Sequence, residues 1–288
     1  MTFSDLIEQV RRRFPDTNQR MRQLERFSRA AEQLPWEPFY EPVSVIEHDQ
    51  KGRGKHLNVD APMLGAWAKH MAYSMRIRMR SFEPIVLREL AVGTTLGAST
   101  ALRAHLEAAA MASLCLLRLN EARTDEGLEK LASLIPKTLF GTALSNKAKK
   151  DERVLEMLSF AEQQTITICT AIRALDEFAY GDAANGSTEI LYALLCESGH
   201  PNHRGTLTFV TSKDVEPEGW RISYAPAEDA GLSVVIGVVD GLRLSMRGGY
   251  AASEMLRVAE FLDGPRPYRG TPMDEGQRIW STFLAPDA

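Results

Sequence analysis

The sequence predicts a mainly α-helical fold, a bundle of about six to eight helices with one small β-hairpin inserted. Three observations carry this. Apolar residues recur at three- and four-residue steps over most of the chain, the period that gives a helix one buried stripe. Residues 96–119 are Ala, Leu, Met, Ser and Cys almost all round, the pattern of a helix enclosed by others. Strand-like alternation of β-branched and aromatic residues is confined to the stretch between Thr206 and Tyr224.

Residues 4–13 read as a short helix stopped by Pro15, and Asp16 or Thr17 can cap a second helix running to about Leu34. From Pro35 to Val59 no periodicity is visible, so residues 1–59 read as N-terminal helices and a connector arm. Asp60 and Pro62 make a good helix start. That helix is expected to reach Arg80, with a break and restart at Ser81 and Pro84. The helix over 96–120 is followed by a short one from Thr124 to Ile135, ended by Pro136.

The longest helix is expected over 146–180. There Val154, Leu158, Ala161, Thr165, Ile168, Ile172 and Leu175 form one apolar stripe. Ser187 or Thr188 caps the next helix, and Gly199 sits where a left-handed C-cap belongs. Thr206–Thr211 and Trp220–Tyr224 form the hairpin. Helix returns from about Glu228 to Leu262, although Ser233–Val239 also reads as strand. The bundle domain is thus expected over 60–264, with a Pro-rich tail over 265–288 that carries a short helix near 277–283.

Composition excludes several function classes. Apolar residues make up 44% and charged residues 25%, as in an average globular protein, so extensive disorder is not expected. A net charge of −4 argues against a protein that mainly coats nucleic acid. Local basic stretches exist, however: residues 1–30 hold seven Arg against four acids, and residues 51–90 hold eight Lys or Arg against three. They would make a nucleic-acid footprint only if they gathered on one face, and the plain alternative is solvated helix surface. Three cysteines without C-x-x-C spacing indicate neither a disulfide framework nor a zinc ribbon. No stretch approaches the roughly 20 apolar residues needed to span a bilayer, and no signal peptide is evident, so no membrane partner and a cytoplasmic location are expected.

Two segments carry candidate chemistry. On the apolar helix Arg103 and Glu107 are four apart and share a face, where they can pair as a register-fixing ion pair or line a pocket. His105 lies about 200° round the helix and points elsewhere. The second segment is the helix end Tyr192-Ala-Leu-Leu-Cys-Glu-Ser-Gly-His-Pro-Asn-His-Arg-Gly205. His200 and His203 titrate near neutrality and can act as acid or base, or can simply hydrogen-bond the exposed helix-end carbonyls. With Cys196 they do not make a strong zinc spacing, so no metal is expected. Phosphate-loop, dinucleotide, esterase-elbow and zinc-protease motifs are absent, and no cofactor is expected.

Together these two segments resemble an uncharacterised family of bacterial helical proteins, in which an Arg/Glu-bearing core helix precedes a Tyr-x-x-Leu-[Cys/Ser]-Glu-x-x-His-Pro-Asn-type corner. That family looks like a distant relative of HEPN domains, and the likeness covers roughly residues 60–200. It implies a helical bundle, usually dimeric, in bacterial stress or phage defence. The expected partners are RNA or another protein. Active HEPN domains carry Arg-x4–6-His and cleave RNA without metal. Here no Arg lies four to six residues before His200 or His203. The resemblance therefore implies either a binding or regulatory module or a divergent endoribonuclease. The candidate catalytic residues are His200, His203, Arg103 and Glu107; the candidate binding residues are Tyr192, Asn202 and Arg204.

Overall fold

A computed structural model describes residues 2–32, 61–122, 125–139, 166–199, 210–224 and 232–263. These form eight helices and one antiparallel hairpin: α1 Phe3–Arg13, α2 Asn18–Glu32, α3 Ala61–Val92, α4 Thr95–Glu121, α5 Asp125–Leu139, α6 Ile168–Tyr180, α7 Ser187–Gly199, β1 Val210–Glu216, β2 Gly219–Tyr224 and α8 Leu232–Asp263. The expected fold class, a helical bundle with a small inserted hairpin, is the one observed.

Helix α4 is the axis of the bundle. Most of its residues are buried, and α3, α5, α6, α7 and α8 all pack on it. Its sequence dictates this, because a helix without a polar face must bury every side. It runs antiparallel to α3, with Cys115 meeting Met71 and His105 facing Glu83. It runs parallel to α8, with Leu102 against Gly241 and Ala109 against Gly248. Alanine on one side and glycine on the other let the α4 and α8 backbones approach closely at that second contact. Leu6, Ile7 and Val10 of α1 and Met21 and Leu24 of α2 belong to the same apolar core.

The structure departs from the expected boundaries at several points. Helix α3 does not break at Ser81 and Pro84 but runs unbroken through both. Proline there removes one backbone donor, but the packing of α4 and α8 along α3 holds the helix. Helix α5 likewise continues past position 136 to Leu139. Of the long helix expected over 146–180, the described part is helical from Ile168 to Tyr180 and is interrupted at Thr167, whose backbone is extended (ψ 123°); residues 146–165 lie outside the described residues. The longest described helices are instead α3 and α8, 32 residues each, and the strand reading of Ser233–Val239 is wrong. Gly199 closes α7 without a positive φ, whereas Gly93 (φ 88°) and Gly181 (φ 55°) take up left-handed positions after α3 and α6. In the hairpin the first strand runs on past Thr211 to Glu216, while residues 206–209 lie outside the described residues. The helix expected near 277–283 lies outside the described residues.

Cys115 is fully enclosed by the core, and burial pushes its thiol up to about 12. Cys169 and Cys196 are only partly buried. A thiol reagent at mildly alkaline pH is therefore expected to titrate two cysteines in the native protein and the third only after denaturation. Rapid reaction of all three in the native state would contradict the packing of α4 on α3.

Candidate functional site

The first face of α4 presents Arg103 and Glu107. Their four-residue spacing stacks them one above the other, and Arg103 Nε donates to Glu107 Oε1 at 3.0 Å. From α7, Tyr192 donates its hydroxyl to the same oxygen at 2.9 Å. The Arg103 guanidinium carbon lies 5.6 Å from the centre of the Tyr192 ring, so the cation also stacks on the aromatic face. Cys196, one turn after Tyr192, is an electrostatic neighbour of both. The structure thus brings together three of the seven residues singled out in the sequence, Arg103, Glu107 and Tyr192, and adds Cys196. Tyr192 and Cys196 are four apart, the spacing that places both on the α4-facing side of α7.

The ion pair is not the fully buried register device that the apolar surroundings suggest. The Arg103 and Glu107 side chains are 35% and 29% exposed, so the cluster lies at the surface end of the α4–α7 seam. Tyr192 is buried. Burial, then the hydrogen bond to Glu107 and its negative charge, hold the phenol well above its ordinary range. Partial burial alone would lower the Arg103 pKa, but Tyr192, Glu107 and Cys196 outweigh it and raise it. Neither group exchanges a proton near neutral pH. Held by Glu107 and Tyr192 and still 35% exposed, Arg103 is a fixed, partly solvated cation.

The opposite face of α4 carries His105, as its angular position predicts. It is fully buried, with Nε2 3.6 Å from Glu83 Oε1, and neither ring nitrogen is hydrogen-bonded among the described residues. Glu83 accepts from Arg80 Nη1 (3.0 Å), which also donates to Ser28 Oγ of α2 (2.8 Å). This is a polar seam between α2, α3 and α4, with His105 and Glu83 buried and Arg80 partly exposed. Pattern reading missed Glu83 as the partner of His105 because the two lie on different helices.

Among the described residues, the basic side chains of these stretches point in different directions. Arg76 is buried, Arg80 turns inward to Ser28 and Glu83, and Arg78 faces solvent. On α1, Arg12 is tied to Glu8, while Arg13 donates to the Ala91 carbonyl. Among the described residues, no group of three or more His, Cys, Asp or Glu side chains is placed to hold a metal. His200, Asn202, His203 and Arg204 lie outside the described residues, as do Lys51–Lys55.

Fold and cluster define a helical bundle with an arginine station on its central helix. No family model, no curated protein and no solved structure matches the chain. No described helix is long and apolar enough to cross a membrane.

Proposed function

We infer that this chain is a HEPN-like helical binding module that receives an anionic group at Arg103 and catalyses no reaction there. The observation that supports this is the closed proton inventory of the cluster. Arg103 and Tyr192 both donate to one Glu107 oxygen, and both are held in their protonated forms. Such a cluster orients a cation but does not shuttle protons. An RNA phosphodiester fits the partly exposed guanidinium and is the ligand class proposed, in keeping with the resemblance to stress- and defence-related helical proteins.

A labelled single-stranded RNA titrated with the full chain in EDTA at low salt is expected to bind and to remain intact. Arg103→Gln is expected to weaken binding about 10- to 100-fold, the value of a charge-assisted hydrogen bond of ~1.5–3 kcal/mol. Absence of binding at low salt would remove RNA as the ligand.

A second reading, a divergent metal-independent endoribonuclease using His200 or His203, is favoured by one observation. Cys196, an electrostatic neighbour of Arg103, lies in the last turn of α7, and His200 follows Gly199 directly. Cleavage in the same assay, abolished by His200→Ala, would replace the binding reading with this one.

A further inference from the structure

The hairpin is chemically two-sided. Its register sets Val215 opposite Trp220 and Lys213 opposite Ile222, and residues two apart on a strand share a face. One face therefore carries Val215, Trp220 and Ile222, with Lys213 Nζ 4.4 Å from the Trp220 ring centre. The other carries Asp214 opposite Arg221, and Ser223. The apolar face is uncovered: Val215 is 74%, Trp220 60% and Ile222 45% exposed. A two-stranded hairpin with no buried face is marginal in water, so this one needs a surface to lie on.

The bundle offers such a surface. Leu191 of α7 lies against Gly241 of α8. Tyr192 meets Glu107 while Cys196 neighbours Arg103, so α7 runs antiparallel to α4 and hence to α8. Leu194 lies one turn beyond Leu191, and Val234 two turns before Gly241 on the same stripe, so both lie toward the same end of the bundle from the Leu191–Gly241 contact. A Cβ at Gly237 between them would meet nothing within 4 Å. Ile190 (62%) and Val234 (46%) are exposed here, together with Leu194 and Leu232. Most of the large exposed apolar side chains of the described residues fall between positions 190 and 234.

Charge and area choose the occupant. The hairpin carries Asp214, Glu216 and Glu218 against Lys213 and Arg221, which disfavours an anionic lipid or nucleic-acid surface. Three side chains, of which even a whole tryptophan buries at most about 250 Å², fall short of the ~800 Å² per partner that a stable interface requires. A two-fold interface uses each patch twice, so hairpin on shelf and shelf under hairpin double the area. We propose that the apolar hairpin face of one copy of this chain lies on the α7–α8 shelf of a second copy, reciprocally, forming a homodimer. A dimeric state is already what the resemblance to HEPN domains implies; the surface is new, and its failure leaves the RNA assay untouched.

Sedimentation equilibrium of the full chain is expected to show a dimer. Trp220→Asp and Leu194→Asp, both at exposed positions, are each expected to raise the dissociation constant about 30-fold or more, or ~2 kcal/mol, with helical content unchanged by circular dichroism. Mixing the two variants should recover part of the dimer, because a heterodimer retains one contact with both surfaces intact. A monomeric wild type overturns the proposal. So does a Trp220→Asp protein that dimerises normally, and so does a Leu194→Asp protein that dimerises normally, the latter meaning that hairpins pair with each other.

Discussion

Gly248→Ala is expected to destabilise the protein by more than the ~1–3 kcal/mol of ordinary overpacking, whereas Gly249→Ala is expected to be neutral or to stabilise by up to about 1 kcal/mol. The two glycines are adjacent in α8 and share the same intrinsic helix propensity, so only their surroundings differ. A Cβ at Gly248 would run into the Cα and Cβ of Ala109 and lie 2.7 Å from its carbonyl oxygen. These are backbone atoms of the central helix and a β-carbon fixed to them, and none can rotate away; α4 and α8 would have to separate, opening the core along their whole contact. A Cβ at Gly249 would meet nothing within 4 Å. At about 2–4 °C per kcal/mol for a chain of this size, a loss of ~3 kcal/mol lowers the melting temperature by roughly 6–12 °C. Guanidinium denaturation of the pair checks it. Equal stabilities would mean that α4 and α8 do not approach at these residues.

The same contact shows what was readable in the chain and what was not. The small-residue character of 96–119 announced a buried helix with close neighbours, and α4 is that helix. Nothing local named Gly248 as the neighbour, because the two positions are 139 residues apart and meet only through the bundle's topology. Arg103 and Glu107 were legible as a pair because their spacing is a property of one helix. Tyr192 was noticed through its place in the helix-end sequence, but its bond to Glu107 requires knowing how α7 lies on α4. The Pro84 error has the opposite cause. Proline chemistry was read correctly as unfavourable in a helix, but packing on α3 from α4 and α8 outweighs one lost backbone bond. At Thr188 an expected cap failed for a related reason: the residue has the right chemistry, but its hydroxyl donates to a carboxylate from the preceding helix.

That carboxylate, Asp176 of α6, sustains the site from behind. It is buried and accepts from Gly186 N (2.8 Å), Thr188 N (3.0 Å) and Thr188 Oγ (2.5 Å), so it supplies acceptors to the exposed donors at the start of α7. Burial alone would raise its pKa, but the bonds from Thr188, Gly186 and Asn185 together outweigh burial and hold it below its ordinary value of 3.8. Asp176→Ala leaves two backbone donors and a hydroxyl without their partner and is expected to cost about 3 kcal/mol or more, each lost charge-assisted bond being worth ~1.5–3 kcal/mol. The sign of the pH dependence follows from the depressed pKa. The folded state binds this proton less readily than the unfolded chain, so the stabilisation is complete above the unfolded value and is lost as pH falls below about 3.8 through the folded value. Asp176→Asn removes the titration. The gap in melting temperature between wild type and Asp176→Asn should therefore be widest near neutrality and should narrow on acidification below that value; a constant gap would show that the charge contributes nothing. Because Tyr192 stands one turn after Thr188 on α7, loosening this start also shifts the hydroxyl that orients Glu107. Asp176→Asn is accordingly expected to weaken RNA binding at Arg103 without touching the ligand, a loss that Arg103→Gln should render undetectable when the two changes are combined.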